Sequence, residues 1–145
     1  MSLSIQDLKH TFDLALKNYQ SGHFKEAEKL YNTILRNFPD HFQSIFLLGT
    51  LLAQVKNYKP AISLLKKAIH INPRYLDAYN NLGNVYREIE SNQEAISYYK
   101  KIIKIDPNYT EAHNNLGKIS NEIGNYSEAI SFFKNVFSVK RFPSQ

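Results

Sequence analysis

Apolar positions in this chain recur with a helical period. Tyr79, Leu82, Gly83 and Tyr86 are spaced by three and four residues, so they fall on one face of a helix. After a short polar stretch, a second face with the same spacing is formed by Ala95, Ile96, Tyr99, Ile102 and Ile103. The pattern predicts two amphipathic helices joined by a polar turn, each with one side facing a shared core.

This two-helix pattern returns every 34 residues along the chain. Proline, alanine, leucine and glycine positions all keep the period: Pro39, Pro73 and Pro107, then Ala27, Ala61, Ala95 and Ala129, then Leu14, Leu48, Leu82 and Leu116, then Gly49, Gly83 and Gly117, with Ala15 in the first repeat. A fixed period of this length is typical of solenoid proteins, in which each repeat buries its apolar face against the next. We therefore expect a surface that holds another molecule rather than a catalytic centre.

The period divides one predicted domain, residues 1–145, into four repeats, and the fold class that it predicts is all-α. The repeats are 8–41, 42–75, 76–109 and 110–143. The expected helices cover residues 5–20, 24–37, 41–55, 58–71, 75–88, 92–105, 109–122 and 126–139. Ser4 and Asp7 form a start signal for the first helix, because such side chains cap the free N–H groups of a helix N-terminus.

Small residues and prolines give the expected repeat its geometry. A glycine in the middle of the first helix, such as Gly83, lets the second helix approach closely, and an alanine near the start of the second helix, such as Ala95, does the same from the other side. Gly22 and Gly124 suit turns that need a positive φ angle. The repeated proline ends each second helix, whereas Pro60 falls in a first turn, where it is tolerated.

Composition narrows the class of protein further. The chain has no cysteine, so disulfide bonds and thiolate metal sites are excluded, and we expect a cytoplasmic protein. No apolar run reaches the about 20 residues of a membrane helix, and no signal peptide is predicted.

The formal net charge is +5, and Lys66, Lys100 and Lys134 recur one repeat apart. A basic stripe is typical of nucleic-acid binding, but no aromatic residues interleave these lysines, so we expect a solvated face and no nucleic-acid partner.

No arrangement of residues in the chain points to catalysis or to a cofactor. The five histidines have none of the spacings of a metal site, and the sequence has neither a cysteine nucleophile nor a phosphate-binding loop. His113 occupies a core position, where we expect a hydrogen-bonded imidazole. Glu26, Glu94 and Glu128 fall in the first turns of second helices, where negative charge stabilises the helix dipole. The sequence therefore predicts a noncatalytic protein with no cofactor, metal or small-molecule substrate.

The residues at the repeated positions resemble the tetratricopeptide repeat. The third repeat matches the family pattern most completely, with Tyr79, Leu82, Gly83, Tyr86, Ala95, Tyr99, Ile102 and Pro107. The other three repeats keep the same phase, so the resemblance covers nearly the whole chain. It implies a right-handed α-solenoid, a superhelix with first helices on its concave side and second helices on its convex side. It also implies a scaffold that binds a partner protein, often through a short peptide segment in the concave groove.

In this family particular positions of the first helix border the groove, and here the two halves of the chain differ at them. The first half is apolar, and Phe12 and Phe46 are the residues that we expect to contact a peptide. The second half is polar and carries the remaining predicted contacts: Asn80, Asn81, Asn84, Arg87, Asn114, Asn115 and Lys118. An asparagine side chain has donors and an acceptor, so a row of them can bind the main chain of an extended peptide. The third and fourth repeats are similar to those of O-linked N-acetylglucosamine transferases, which carry an asparagine ladder at the position of Asn81 and Asn115.

Apolar residues of the last helix predict a second contact surface. Ile130, Phe133, Val136 and Phe137 have no following helix to pack against in a sequence that continues only to Gln145. Exposed apolar patches of this kind are often interfaces. A homodimer through this C-terminal face is one expectation, and a longer protein that continues the solenoid is the other.

Three functions of different classes are compatible with these residues. The leading one is a noncatalytic adaptor that captures a peptide segment of a partner protein. The second is a substrate-recruiting domain of a larger enzyme such as a glycosyltransferase, and the third is a self-assembly unit that works through the C-terminal face. The asparagines also allow a simpler interpretation, in which they are surface residues that adjacent repeats share through common descent.

Overall fold

The computed structural model describes residues 2–141, which are helical apart from short turns. The helices are α1 (Ile5–Gln20), α2 (Phe24–Asn37), α3 (Phe42–Gln54), α4 (Tyr58–Ile71), α5 (Leu76–Glu88), α6 (Asn92–Ile105), α7 (Thr110–Glu122) and α8 (Tyr126–Arg141). No strand occurs in residues 2–141, so the predicted all-α fold is confirmed. None of the helices in this range is long and apolar enough to cross a membrane. The predicted end of the fourth repeat at residue 143 lies outside the described residues.

The helix ends agree closely with those predicted from the sequence. At the start of α1, Ser4 Oγ accepts a 3.1 Å hydrogen bond from the Asp7 N–H, and the Asp7 carboxylate accepts one from the Ser4 N–H at 3.2 Å. This reciprocal pair is a capping box, at the start signal that the sequence predicts. Three first helices begin one residue later than expected, because His41, Tyr75 and Tyr109 are N-cap residues with extended backbone.

Each turn inside a repeat contains one residue in the left-handed conformation. Gly22 has a φ angle of 77° and Gly124 has one of 81°, as their sequence positions predict. The equivalent residues of the two middle repeats are Lys56 at 62° and Glu90 at 61°. A side chain makes this conformation unfavourable, so helix packing must impose the turn geometry on the two middle repeats.

The prolines lie where the sequence analysis places them. Pro39, Pro73 and Pro107 follow the last residues of α2, α4 and α6 by two positions, and the residue before each has left the helical conformation. Pro60 lies in the first turn of α4, where its missing N–H has no helical partner to lose.

The glycines in the middle of α5 and α7 allow close packing of their helix pairs, as predicted. A Cβ atom built on Gly83 would lie 2.6 Å from the ring of Tyr99, and one on Gly117 would lie 2.5 Å from the ring of Phe133. Cβ atoms essentially never make contacts this short, so a side chain at either position would force the opposing ring to shift. The nearest neighbour of Gly83 is therefore this ring rather than the small Ala95, which the sequence analysis placed opposite it.

The described residues pack into two compact units. The N-terminal unit ends at Pro73 and contains α1–α4, and the C-terminal unit begins at Arg74 and contains α5–α8. Within each unit, the two helices of a repeat pack on each other, and the second helix of one repeat contacts the first helix of the next. The buried core uses the repeated positions: Ala27, Tyr31 and Leu48 in the N-terminal unit, and Ala95, Tyr99 and Leu116 in the C-terminal unit.

Candidate functional site

Side-chain amides of the C-terminal unit form a hydrogen-bond network between α5 and α7. Asn115 Nδ2 donates to Asn80 Oδ1 at 2.9 Å, and Asn80 Nδ2 donates to Glu111 Oε1 at 2.8 Å. Asn80 is 3% exposed and Asn115 is 6% exposed. Buried polar groups need hydrogen-bond partners, so these two amides satisfy each other and join the two first helices of the unit.

A second branch of the network fixes the orientation of the Asn84 amide. Asn84 Oδ1 accepts a 2.6 Å hydrogen bond from the hydroxyl group of Tyr99 on α6, and a longer one of 3.4 Å from Asn115 Nδ2. Burial raises the pKa of Tyr99 to about 12, so its hydroxyl group is protonated and donates at neutral pH. Asn84 is partly buried, and with its oxygen occupied, the N–H groups of its amide are the donors that remain.

The structure therefore separates the predicted asparagines into two groups. Asn80, Asn84 and Asn115 lie together in the network, where their hydrogen bonds support the packing of the unit. Asn81 and Asn114 are partly buried at neighbouring positions of α5 and α7. A sequence pattern alone does not distinguish these roles. Which of two adjacent helix positions is buried depends on the angle at which the two helices cross.

Two members of the network were missed by sequence reasoning. Tyr99 is a fully buried core residue of the repeat pattern, and its hydroxyl group needs a partner inside the protein. That need signals a hydrogen bond but does not identify Asn84 as the partner, and the equally buried Tyr31 hydroxyl group has no partner among the described residues. Glu111 lies in the first turn of α7, and nothing in its sequence position shows that Asn80 reaches it.

Two further contacts link the first helices of this unit. Arg87, a predicted contact residue, has its Nη2 atom 3.5 Å from Glu122 Oε1, and this ion pair joins the ends of α5 and α7. The Tyr109 hydroxyl group donates a 2.6 Å hydrogen bond to Asp77 Oδ1. Burial, together with this hydrogen bond to a carboxylate, raises the pKa of Tyr109 far above its ordinary value. Lys118 is exposed on α7.

In the N-terminal unit, the predicted contact residues are aromatic rings that also take part in packing. Phe12 makes edge-on contacts with Tyr31, at 6.2 Å between ring centroids, and with His41, at 5.4 Å. Phe46 stacks parallel to Phe42 with centroids 6.5 Å apart. Phe12 and Phe46 are both partly buried, so each supports the fold and retains some accessible surface.

A small cavity of about 290 Å³ opens beside Phe12. It is lined by Ile5, Leu8, Lys9, Phe12, His41 and Gln43. His41 is also the N-cap of α3: its Nδ1 atom accepts from the Ser44 N–H at 3.3 Å and lies 2.8 Å from Ser44 Oγ. Burial lowers the pKa of His41, which keeps the imidazole neutral and able to accept the capping hydrogen bond.

The apolar residues predicted to form an interface differ in exposure along α8. Ile130 is 54% exposed and Phe137 is 72% exposed. Phe133 and Val136 are partly buried, and the ring of Phe133 packs against Gly117 of α7. Part of the predicted patch is therefore accessible, and its role as an interface stays a prediction.

His113 is a core histidine, as expected. It is 5% exposed, and its Nε2 atom lies 2.7 Å from the carbonyl oxygen of Pro107, so this nitrogen carries the hydrogen and donates. Glu26, Glu94 and Glu128 lie in the first turns of α2, α6 and α8. In the part of the chain that the structure describes, no cluster of histidine and carboxylate side chains could hold a metal ion.

Three profiles of tetratricopeptide repeats match the sequence. Two described as "Tetratricopeptide repeat" match residues 76–109 and 98–131, and one described as "TPR repeat" matches residues 49–90. Together they extend over residues 49–131, which is more than half of the 145 residues. Over 67 residues the chain is 31% identical to the UDP-N-acetylglucosamine–peptide N-acetylglucosaminyltransferase of Caenorhabditis elegans, a match that spans 46% of this chain and 6% of that protein.

Solved structures of MamA have the same fold as this chain. A crystal structure of MamA superimposes with a TM-score of 0.88 at 25% identity and covers 92% of this chain and 78% of its own. The 41-end form of MamA from Desulfovibrio magneticus RS-1 gives a TM-score of 0.89 at 23% identity and covers 97% of this chain and 80% of its own. The repeat period, the helix pairs and the family matches agree with one another, and the chain belongs to the tetratricopeptide-repeat family.

Proposed function

We propose that this protein is a noncatalytic adaptor that binds a peptide segment of a partner protein in the concave groove along its first helices. That the chain is a protein-interaction scaffold follows from its family and from its structural relatives. The observation that supports binding of a peptide segment is the oriented amide of Asn84, whose oxygen accepts hydrogen bonds from Tyr99 and Asn115.

A donor that is already oriented suits recognition of a peptide main chain. The carbonyl groups of an extended peptide accept hydrogen bonds whatever the side chains are, and the Asn84 N–H groups need no reordering to donate to them. Binding to a preorganised group avoids the entropic cost of fixing a free side chain. Asn114 offers a second amide on α7, and the exposed Lys118 favours a peptide with an acidic residue.

The N-terminal unit supports the same proposal with apolar chemistry. Phe12 lines the small cavity beside α1, and Phe46 lies on α3 with part of its ring accessible. An aliphatic or aromatic side chain of the peptide fits a cavity of about 290 Å³ with this lining. We therefore expect a peptide that binds this unit to carry an aliphatic or aromatic residue.

The test is affinity capture from native lysate, with replacement of Asn114 and Lys118 by alanine. These two residues lie outside the buried hydrogen-bond pair, so the double variant should fold as the wild type does. Loss of two polar contacts is worth about 1–2 kcal/mol in total, so we expect affinity for the captured protein to fall about tenfold.

The matched control replaces Asn92 and Lys104 by alanine. It removes the same residue types and the same charge, but from the second helix α6. Capture that is lost in the first variant and kept in the control supports the proposal. Equal capture by all three proteins contradicts it and assigns the partner to another surface.

A second candidate function is recruitment of substrates to a glycosyltransferase. The observation that favours it is the match to a short part of the N-acetylglucosaminyltransferase from Caenorhabditis elegans. It is tested by the coding sequence that follows Gln145. A glycosyltransferase catalytic domain in the same reading frame supports this candidate, and a stop codon or an unrelated domain contradicts it.

A further inference from the structure

A cleft of about 590 Å³ opens to solvent on the N-terminal unit, and none of the predicted contact residues lines it. It is lined by α2, by α3 and by the beginning of α4. Four leucines give it an apolar lining, and polar side chains surround them: Leu35, Leu48, Leu52 and Leu64 with Glu28, Asn32, Asn57, Lys59, Pro60 and Ser63. Its size and mixed lining are those of sites that bind a ligand or a side chain of a partner.

The repeat pattern breaks at one residue of this cleft. Glu28 occupies a position that is isoleucine in every later repeat, as Ile62, Ile96 and Ile130. An isoleucine there extends the apolar surface of the second helix, whereas glutamate places a carboxylate beside the leucines. Glu28 is partly buried, and it forms no ion pair with the residues that the structure describes.

An ion pair crosses the equivalent place in the C-terminal unit but has no counterpart here. Lys100 Nζ lies 3.9 Å from Glu128 Oε1, so the second helices α6 and α8 are bridged. The residues at these two repeat positions in the N-terminal unit are Asn32 and Pro60, which cannot form an ion pair. The cleft is therefore open at the place where the other unit carries a bridge.

The charge in the cleft selects the kind of partner. Lys59 also lines it, but its side chain is exposed and screened by water, whereas Glu28 is partly buried. A carboxylate next to apolar groups attracts a cation more strongly than an exposed one does, because the local dielectric constant is lower. Lysine and arginine carry a cation on an apolar stem, and such stems pack well on leucine side chains.

We propose that this cleft binds a partner protein through a large apolar side chain that lies next to a lysine or arginine. The apolar side chain packs on Leu35 and Leu64, the two lining leucines that are only partly buried, and the cation pairs with Glu28. This surface belongs to second helices and their neighbours, so it is separate from the groove proposed above and does not depend on it.

The test uses short capped peptides and the methyl signals of the four leucines in NMR spectra. The probe is acetyl-Ala-Phe-Arg-Ala-amide, and the comparison peptides carry glutamate in place of arginine or alanine in place of phenylalanine. We expect the probe to shift the leucine methyl signals. Both comparison peptides should bind at least about tenfold more weakly, because each lacks either the charge-assisted contact or the aromatic contact.

Two protein variants test the assignment of residues. Glu28→Gln keeps the shape of the side chain and should weaken binding of the arginine peptide about tenfold. Glu26→Gln is its control, because Glu26 lies on the same helix, outside the cleft, and pairs with Lys29. Equal effects of the two variants, or equal binding of the arginine and glutamate peptides, overturn the proposal.

A third variant closes the cleft with residues that the chain itself uses elsewhere. The combination Glu28→Ile, Asn32→Lys and Pro60→Glu reproduces the pattern of the C-terminal unit. We expect it to unfold at the temperature of the wild type or above and to leave the leucine methyl signals unmoved by the probe. Undiminished binding by a folded variant contradicts the proposal, and if the variant fails to fold, Glu28→Gln decides the matter.

Discussion

At the scale of single residues, the turn inside each repeat is where sequence and conformation agree least. All four turns place one residue in the left-handed region, but only Gly22 and Gly124 have no side chain to oppose it. Lys56 and Glu90 adopt the same conformation at a cost of about 1–2 kcal/mol each. The packing of the flanking helices must offset that cost, so the middle repeats store strain that the outer ones lack.

Replacing Glu90 by glycine should therefore stabilise the protein. Relief of the left-handed conformation gains about 1–2 kcal/mol, and the extra freedom of glycine in the unfolded chain costs about 0.5–1 kcal/mol. We expect the free energy of unfolding in urea to rise by about 0.5–1 kcal/mol. The matched change Gly124→Ala should lower it by a similar amount, and a loss of stability in Glu90→Gly would show that the turn is not strained.

At the scale of helices, the asparagine network joins α5 to α7. Replacement of Asn115 by alanine leaves the buried Asn80 oxygen without its donor, which costs about 1–3 kcal/mol. Replacement of Asn114, its partly buried neighbour, should change the free energy of unfolding by less than about 0.5 kcal/mol. Urea denaturation of the two variants measures both effects, and equal losses would contradict the division of the asparagines into supporting and contacting groups.

The start of α3 should respond to pH through His41. Burial lowers its pKa below the ordinary 6.5, so the unfolded chain binds a proton more readily than the folded one. The stability that neutral His41 contributes is present above pH 6.5 and is lost as the pH falls below it. His41→Asn keeps a capping acceptor that does not titrate. Urea unfolding on both sides of pH 6.5 should show a smaller acid loss in this variant, and an equal loss would contradict the role of the cap.

At the scale of the whole molecule, the sequence predicts the helices and repeats but not the site. The period and the positions of Pro39, Gly83 and Ala95 suffice for the fold, because each repeated residue has one packing role. Whether Asn80 and Asn115 form hydrogen bonds within the protein depends on the side chains across the helix contact, such as Glu111 and Asn84. Shifts of a few tenths of an ångström between the helices decide whether such bonds form, and a helical period does not determine those shifts.

The central claim is that the first helices of the C-terminal unit bind a peptide segment. The most direct measurement places a photoreactive benzoylphenylalanine at position 118 on α7, and at position 104 on α6 as the control, and irradiates each protein in native lysate. We predict that the probe at Lys118 forms adducts with one contiguous segment of a partner protein and that the probe at Lys104 does not. Adducts of the same partner from both positions, or adducts at Lys118 with other copies of this chain alone, would contradict the account.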